Sequence, residues 1–377
     1  MYRQPQRIEY IDSLRGLAAL AVLLQHSLIF IWPAGVGRIL DWPFINMAFD
    51  GKAAVAMFFV LSGFVLSRPY FISVAGQPAR RMYVPTFYLR RFTRIWLPWL
   101  AVFGLSALAQ AVLFVPWETN PPTSSLLSCV WHHHPGWINF FRQCLFIEHD
   151  AKKVLLIQDW SLGVELKASA LLPLFIFLSR RLTPWSLLVV SVALLALLPT
   201  GHYYVIFIIG LLLAGTSGNL LQWLQPKPFF VKAGLLSAGL VLYETRHFCQ
   251  DLLGQPLGEK FPWLGTSLGC ALILLASMSS RRIQAVLKLP PIVFLGKISY
   301  SVYLLQFIVI FCLLPPWVHA LNLLGIESAV WLLPLSILGS IGMTVGLSAL
   351  TYRWIETPCI DLGHRLSKKW QEKFLKE

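Results

Sequence analysis

Long apolar runs separated by short polar segments dominate the chain. About ten of these runs approach the roughly 20 residues that a helix needs to cross a bilayer. The apolar pattern therefore predicts an all-α polytopic transmembrane helical bundle. The expected spans lie near residues 11–32, 51–67, 95–115, 159–178, 184–200, 202–215, 232–246, 263–279, 292–314 and 330–352.

Basic residues gather in alternate loops between the apolar runs. If the N-terminus is cytoplasmic, most arginines and lysines fall on the inner side, including the group 90–94, the pair 180–181 and the tail after residue 353. This positive-inside asymmetry predicts that both termini are cytoplasmic. It also accounts for the formal net charge of +14, so we expect contact with membrane lipids and no nucleic-acid partner.

Composition supports a membrane protein. Of the 377 residues, 56% are hydrophobic and only 13% are charged, whereas soluble domains are about a quarter charged. We expect no cleavable signal peptide, because the first apolar run is long and no small-residue cleavage site closes it. After the last span we expect a short basic amphipathic helix on the inner surface.

The cysteine and histidine patterns do not indicate a metal site. The six cysteines lack metal-ligand spacing, and the consecutive His132, His133 and His134 cannot share one face. Cys129 and Cys144 fall in one predicted outer loop, where either a disulfide or two free thiols are open.

The first apolar run carries two ionisable groups that stand out. Arg15 and His26 are eleven residues apart, which returns to the same helix face about 16 Å further along the axis. Arg15 would lie near one membrane surface and His26 well inside. An ionisable residue at that depth is a hypothesis for a functional site.

Glu165 is the second intramembrane candidate. Its depth in the fourth span matches that of His26, so the carboxylate could pair with the imidazole and support a general base. The alternative is a buried histidine bonded to a backbone carbonyl, with Glu165 paired to Lys167 or to an interfacial arginine.

A third cluster lies in the segment FYLRRFTRIWLPW (87–99). Arg90, Arg91 and Arg94 can share one side of a helix at the cytoplasmic surface. Guanidinium groups bind phosphate oxygens bidentately, but anchoring to anionic lipid is an equally ordinary role.

Two further segments leave alternatives open. Ser62-Gly63 indicates close packing or a helix break, and Ser299, Tyr300, Ser301 and Tyr303 could line a polar channel or hydrogen-bond across helices.

Six motifs in order resemble acyltransferase family 3, the integral-membrane O-acyltransferases. The resemblance covers nearly the whole chain. The motifs are Arg15 through His26 in IDSLRGLAALAVLLQHS, Ser62-Gly63-Phe64, Arg91 to Arg94 in LRRFTRIWLP, Trp160-Ser161-Leu162 through Glu165, the LG-x-ISYS-x-YL element at 295–304, and the YR-x-IE-x-P element from Tyr352 to Pro358.

This resemblance implies an acyl-CoA-dependent O-acyltransferase of the bacterial inner membrane, with an acyltransferase transmembrane domain at 1–358 and a tail at 359–377. The donor would be cytoplasmic acyl-CoA, most often acetyl-CoA. The acceptor would be a hydroxyl of an extracytoplasmic or membrane-bound carbohydrate or lipid-linked glycan. By the matching positions, His26 resembles the general base or an acyl relay and Glu165 its structural or catalytic partner, while Arg15, Arg91 and Arg94 resemble the CoA contacts.

The chain departs from the family at three points. Many relatives carry histidine where Gln306 stands, so any assistance from that histidine would be missing or weakened. Lys167 could neutralise Glu165 or lower its pKa. We also expect no fused esterase-like domain, since few residues follow the last span.

The alternative function is a transporter or flippase of a lipid-linked or small anionic solute. Such a protein should show an inverted repeat with broken helices in both halves, and the sequence has no such symmetry.

Overall fold

The computed structural model describes residues 8–31, 42–71, 82–115, 130–131, 136–147, 150, 153–181, 184–198, 200–249, 254 and 260–374. Within these ranges every regular element is helical and none is a strand, which confirms the all-α prediction. In chain order the elements are α1 Glu9–Ile31, α2 Pro43–Phe49, α3 Gly51–Phe71, α4 Val84–Val112, α5 Trp137–Cys144, α6 Asp159–Arg181, α7 Pro184–Leu197, α8 Gly201–Leu224, α9 Phe229–Tyr243, α10 Thr245–His247, α11 Phe261–Ser279, α12 Arg281–Leu287, α13 Pro290–Ile308, a π-helical segment Val309–Leu313, α14 Leu314–Leu323, α15 Ala329–Thr351, a second π-helical segment Tyr352–Glu356, and α16 Thr357–Phe374.

Eight helical segments of the described chain are long and apolar enough to cross a bilayer. They confirm the prediction of a polytopic membrane protein. The expected spans 184–200 and 232–246 fold as α7 and α9, which have only 14 and 15 residues, fewer than a perpendicular span needs. The count of ten spans and the cytoplasmic position of both termini stay predictions.

The last helical stretch is much longer than a membrane span. Residues Ala329–Glu372 form 44 consecutive helical residues, about 66 Å at 1.5 Å per residue, against a hydrocarbon core of about 30 Å. Only part of this stretch can lie in hydrocarbon, and we expect the basic part, α16, to extend beyond it. Its place on the inner surface and the domain boundary at residue 358 stay predictions.

The chain forms two compact units. The first unit consists of Met1–Ala18, Lys52–Val84 and Val164–Lys297, and the second of Ala19–Gly51, Pro85–Gly163 and Ile298–Glu377. Helices α1, α6 and α13 each contribute residues to both units.

Glycines bring α3 and α8 together in the first unit. A Cβ atom at Gly63 would collide with the carbonyl oxygen of Phe207, and one at Gly210 with the carbonyl oxygen of Val60. Small residues at such contacts let helix backbones approach closely inside a membrane. Of the two alternatives for Ser62-Gly63, close packing is the one observed, and α3 continues through this point to Phe71.

A second glycine contact in the first unit joins α1 to α13. A Cβ atom at Gly16 would lie 2.5 Å from the backbone nitrogen of Gly296, and one at Gly296 would lie 2.5 Å from the carbonyl carbon of Asp12. The Ser13 hydroxyl also donates to the carbonyl of Leu287 at 2.6 Å. These contacts hold the Arg15 end of α1 against the LG pair of the 295–304 motif.

The core of the second unit is aromatic. Trp99 and Phe103 of α4 are fully buried and stack with their ring centroids 4.8 Å apart. Phe146 packs on Trp99 and Phe140 on Phe103, each at 4.7 Å. The stack fixes α4 against the segment that contains α5.

The two π-helical segments lie at the ends of α13 and α15. A π turn accommodates one extra residue and frequently occurs at functional sites. The first segment places the Cys312 thiol 3.8 Å from the carbonyl oxygen of Ala109. The second carries Glu356, whose carboxylate accepts a hydrogen bond from Ser301 at 2.8 Å.

Candidate active site

His26 lies in the second unit, on the C-terminal half of α1. Its ring is half-buried and its Nδ1 is 3.0 Å from Oε1 of Gln306 on α13. The Phe307 ring packs against the imidazole with centroids 4.7 Å apart. The imidazole is therefore held on one side by an amide and on another by an aromatic face.

The hydrogen bonds of Gln306 determine which ring nitrogen of His26 carries the proton. The backbone carbonyl of Tyr303 can only accept, so Nε2 of Gln306 is the atom that faces it, at 3.0 Å. Oε1 then faces His26, and because an amide oxygen can only accept, Nδ1 of the neutral imidazole must donate. The lone pair consequently lies on Nε2, where it can take a proton from a hydroxyl group.

A second layer of hydrogen bonds holds this part of α13 against the start of α6. The hydroxyl groups of Tyr303 and Ser161 are 2.7 Å apart. Nε2 of Gln158 donates to the carbonyls of Tyr303 at 3.3 Å and Leu304 at 2.8 Å. All three side chains are buried, and their hydrogen bonds give the support behind Gln306 a defined geometry.

The 295–304 motif hydrogen-bonds across helices through three of the four polar residues considered from sequence. Tyr300 donates to the carbonyl of Ile95 at 2.6 Å, and Ser301 donates to Glu356. Together with the contact between Tyr303 and Ser161, these bonds link three other motifs of the sequence to one helix. For these three side chains, the reading as interhelical hydrogen bonds is the one observed.

Arg91 and Arg94 lie on α4 of the second unit in different environments. Arg91 is buried, whereas Arg94 is exposed and Arg90 is half-buried. The i,i+3 and i,i+4 spacing on this helix is compatible with a shared side for the three arginines, which stays a prediction. An exposed guanidinium beside a buried one can bind an anion at the surface of the unit.

Arg15 and Glu165 lie in the first unit. Arg15 is 3.5 Å from the carboxylate of Asp12, one helical turn earlier. Oε1 of Glu165 accepts a hydrogen bond from Ser62 of α3 at 2.8 Å, which joins two further motifs. Lys167 is exposed, and because residues i and i+2 do not face each other on a helix, a pair with Glu165 is not favoured.

The candidate residues are thus divided between the two units. His26, Arg91 and Arg94 belong to the second unit, and Arg15 and Glu165 to the first. The pairing of His26 with Glu165 stays a prediction. Helix α1 is continuous from Arg15 to His26, so the eleven-residue separation corresponds to about 16 Å along its axis.

Sequence reasoning missed Gln306, Gln158 and Glu356. Gln306 was interpreted only as a departure from the family, yet it is the side chain that contacts His26. The available signal was a glutamine inside an apolar run, because a polar side chain needs a partner inside a membrane.

No group of three or more His, Cys, Asp or Glu residues that could hold a metal occurs within the described ranges. His132, His133, His134 and Cys129 lie outside those ranges, so the expectations for the histidine run and for a bond between Cys129 and Cys144 are not tested.

Comparison with protein families matches residues 8–353 to a family model described as an acyltransferase domain. No curated protein and no solved structure matches the chain.

Proposed function

Because the chain belongs to acyltransferase family 3, we propose that it is a membrane O-acyltransferase that uses acyl-CoA from the cytoplasm. In this proposal the transferred acyl group is acetyl. The acceptor is a hydroxyl of an extracytoplasmic or membrane-bound carbohydrate or lipid-linked glycan, and the location is the bacterial inner membrane. The observation that carries this proposal is the hydrogen bond between Nδ1 of His26 and Gln306.

In the proposed reaction, His26 is the general base. Its Nε2 takes the proton of the acceptor hydroxyl while the hydroxyl oxygen attacks the thioester carbonyl. The C–S bond breaks as the C–O ester bond forms, and the imidazolium returns the proton to the departing thiolate. Gln306 accepts from Nδ1 throughout, so the ring keeps its orientation in both protonation states.

The arginines supply the donor site in this proposal. Arg15, Arg91 and Arg94 bind the phosphate groups of CoA, because guanidinium groups match phosphate oxygens in geometry and charge. The distance of about 16 Å along α1 from Arg15 to His26 is roughly that of a phosphopantetheine arm. The nucleotide can then stay in the cytoplasm while the thioester reaches His26, which avoids moving its charges through hydrocarbon.

Glu165 is a structural or catalytic partner in this scheme. Its carboxylate is half-buried and is oriented by the Ser62 hydroxyl. A carboxylate held in this way can stabilise a positive charge that develops during proton transfer.

The test is mass spectrometry of surface glycans from a bacterial strain that lacks this chain. The strain is complemented with the wild type, with His26→Ala or with His319→Ala, a matched control because His319 is an exposed histidine on α14. We expect an ester-sized mass to return with the wild type and the control but not with His26→Ala. An ester that returns with His26→Ala, in a protein inserted at wild-type level, would refute the assignment of the base.

A further inference from the structure

The helix that follows the last span packs along the start of α4 in the second unit. A Cβ atom at Gly363 of α16 would collide with the hydroxyl of Thr93 and lie 3.6 Å from the Cα atom of Arg90. Nearer the end of α16, Nε2 of Gln371 is 3.5 Å from the hydroxyl of Thr86. The two helices therefore lie side by side over at least two turns.

This contact brings three basic side chains together. His364, next to Gly363, interacts electrostatically with the guanidinium groups of Arg90 and Arg94 and with the carboxylate of Asp361. Arg90 and Arg94 are one turn apart on α4 and so point to the same side. The negative charge of Asp361 is already smaller than the positive charge of the two arginines. Protonated His364 adds a third positive charge.

The cluster has unused hydrogen-bonding capacity. Nε of Arg90 is inaccessible to solvent and has no hydrogen-bond partner within the described ranges. Arg94 is exposed, and His364 and Arg90 are half-buried. A ligand can therefore reach Arg94 and the solvent-accessible atoms of Arg90 and His364 from outside, but not the buried Nε of Arg90. Because like charges held together are costly without a counterion, the arrangement favours a bound anion.

We propose that Arg90, Arg94 and His364 form a phosphate-binding site built jointly by α4 and α16. Arginine side chains one turn apart suit the oxygens of a phosphate group, and the imidazole adds a third donor. The phosphate belongs either to the CoA donor, in which case the inference rests on the proposed function, or to the headgroup of an anionic phospholipid. In both cases α16 is a part of a ligand site and not only a membrane anchor.

The test measures binding rather than transfer, in nanodiscs of phosphatidylcholine. The first arm compares the dissociation constants of CoA and of CoA lacking its 3′-phosphate. The second arm compares the Tm in phosphatidylcholine nanodiscs with the Tm in nanodiscs that contain phosphatidylglycerol. The proteins are the wild type, Arg90→Gln, His364→Gln and the control Arg365→Gln, which removes an exposed charge from the neighbouring position of α16.

If the phosphate comes from the donor, the wild type and the control bind CoA about tenfold more tightly than the dephosphorylated form, and the two site variants lose that preference. If it comes from lipid, phosphatidylglycerol raises the Tm of the wild type and the control but not of the site variants. Equal behaviour of all four proteins in both arms overturns the proposal. The variant Arg90→Lys guards against a folding defect, because it retains the charge and should bind with intermediate affinity.

The outcome is independent of the catalytic assignment. His26→Ala should keep the preference for the 3′-phosphate, since in the proposed reaction His26 acts at the thioester end of the donor and not at its phosphate groups. Failure of the proposed reaction would therefore appear as transfer that persists in His26→Ala, and failure of the phosphate site would appear only in the binding data.

Discussion

Replacing Gln306 with methionine tests whether the amide sets the tautomer of His26. Methionine has nearly the same length but offers no oxygen to Nδ1 of His26, so the ring loses the bond of 3.0 Å that holds its proton on that nitrogen. The carbonyl of Tyr303 still receives a hydrogen bond from Gln158 at 3.3 Å. The change therefore removes both hydrogen bonds of the amide but leaves that carbonyl with a donor.

The expected effect falls on kcat. Loss of one buried hydrogen bond costs about 1–3 kcal/mol, and about 1.4 kcal/mol corresponds to a tenfold rate change, so kcat for acyl transfer should fall about 5- to 150-fold in Gln306→Met. This is well below the roughly 10⁴-fold loss that a wrong tautomer causes in a serine-protease triad, because methionine leaves the ring unrestrained rather than wrongly fixed. The KM for acyl-CoA should stay unchanged, since Gln306 is not among the proposed phosphate ligands.

The assay is transfer of labelled acetyl from acetyl-CoA in proteoliposomes, with kcat and KM determined separately. Gln306→Glu is the matched control, because it keeps an oxygen acceptor at the same position and should retain activity within a few-fold of the wild type. A wild-type kcat in Gln306→Met would refute the role of the amide. A loss of kcat in both variants with an unchanged Tm would show that the amide nitrogen, not the acceptor oxygen, matters.

Three other predictions concern stability and thiol chemistry. Tyr303→Phe and Ser161→Ala should each lower the free energy of unfolding by about 1–2 kcal/mol. The double variant should lose little more, because both substitutions remove the same bond of 2.7 Å. Additive losses of Tm in detergent would contradict a shared bond. Gly16→Leu should abolish the monodisperse peak in size-exclusion chromatography, because the backbone of α13 leaves no room for a side chain there. The control Gly342→Leu should be tolerated, because a Cβ atom at Gly342 meets nothing within 4 Å. Normal elution of Gly16→Leu would contradict the contact. Burial raises the pKa of the Cys144 thiol. In a variant that keeps only this cysteine, an impermeant maleimide should therefore label intact cells slowly at neutral pH and faster as the pH rises. Labelling that needs permeabilised cells would place Cys144 on the inner side.

Sequence reasoning located the helices well because hydropathy is a local property. An apolar run predicts a membrane helix whichever helices pack against it, and the long helices α1, α3 and α8 confirm this. The shorter α7 and α9 show the limit of the rule, since a run of suitable composition can be helical over only 14 or 15 residues.

Partners of individual side chains could not be predicted in the same way. His26 and Gln306 are 280 positions apart in the chain, and no local pattern specifies which helices become neighbours. The motif shared with relatives identified His26 as a candidate. At position 306 it indicated only that the histidine of many relatives is absent, and not that the glutamine there contacts His26. The contact between His364 and the arginines of α4 likewise depends on how α16 packs, which spacing along one helix does not reveal.

The π-helical segment Val309–Leu313 has a consequence for how this chain tolerates changes in length. It follows directly after the residues that contact His26, and it contains the one extra residue of a π turn. Because the wide turn absorbs that residue, deleting one residue inside the segment would restore an α-helix and leave the faces of the flanking helices in place. A deletion of one residue in α14 would instead rotate everything after it by about 100° relative to Gln306. A single-residue deletion within Val309–Leu313 should therefore be far less harmful than one in α14. The length of this helix can thus vary at the π turn without changing which residues face His26.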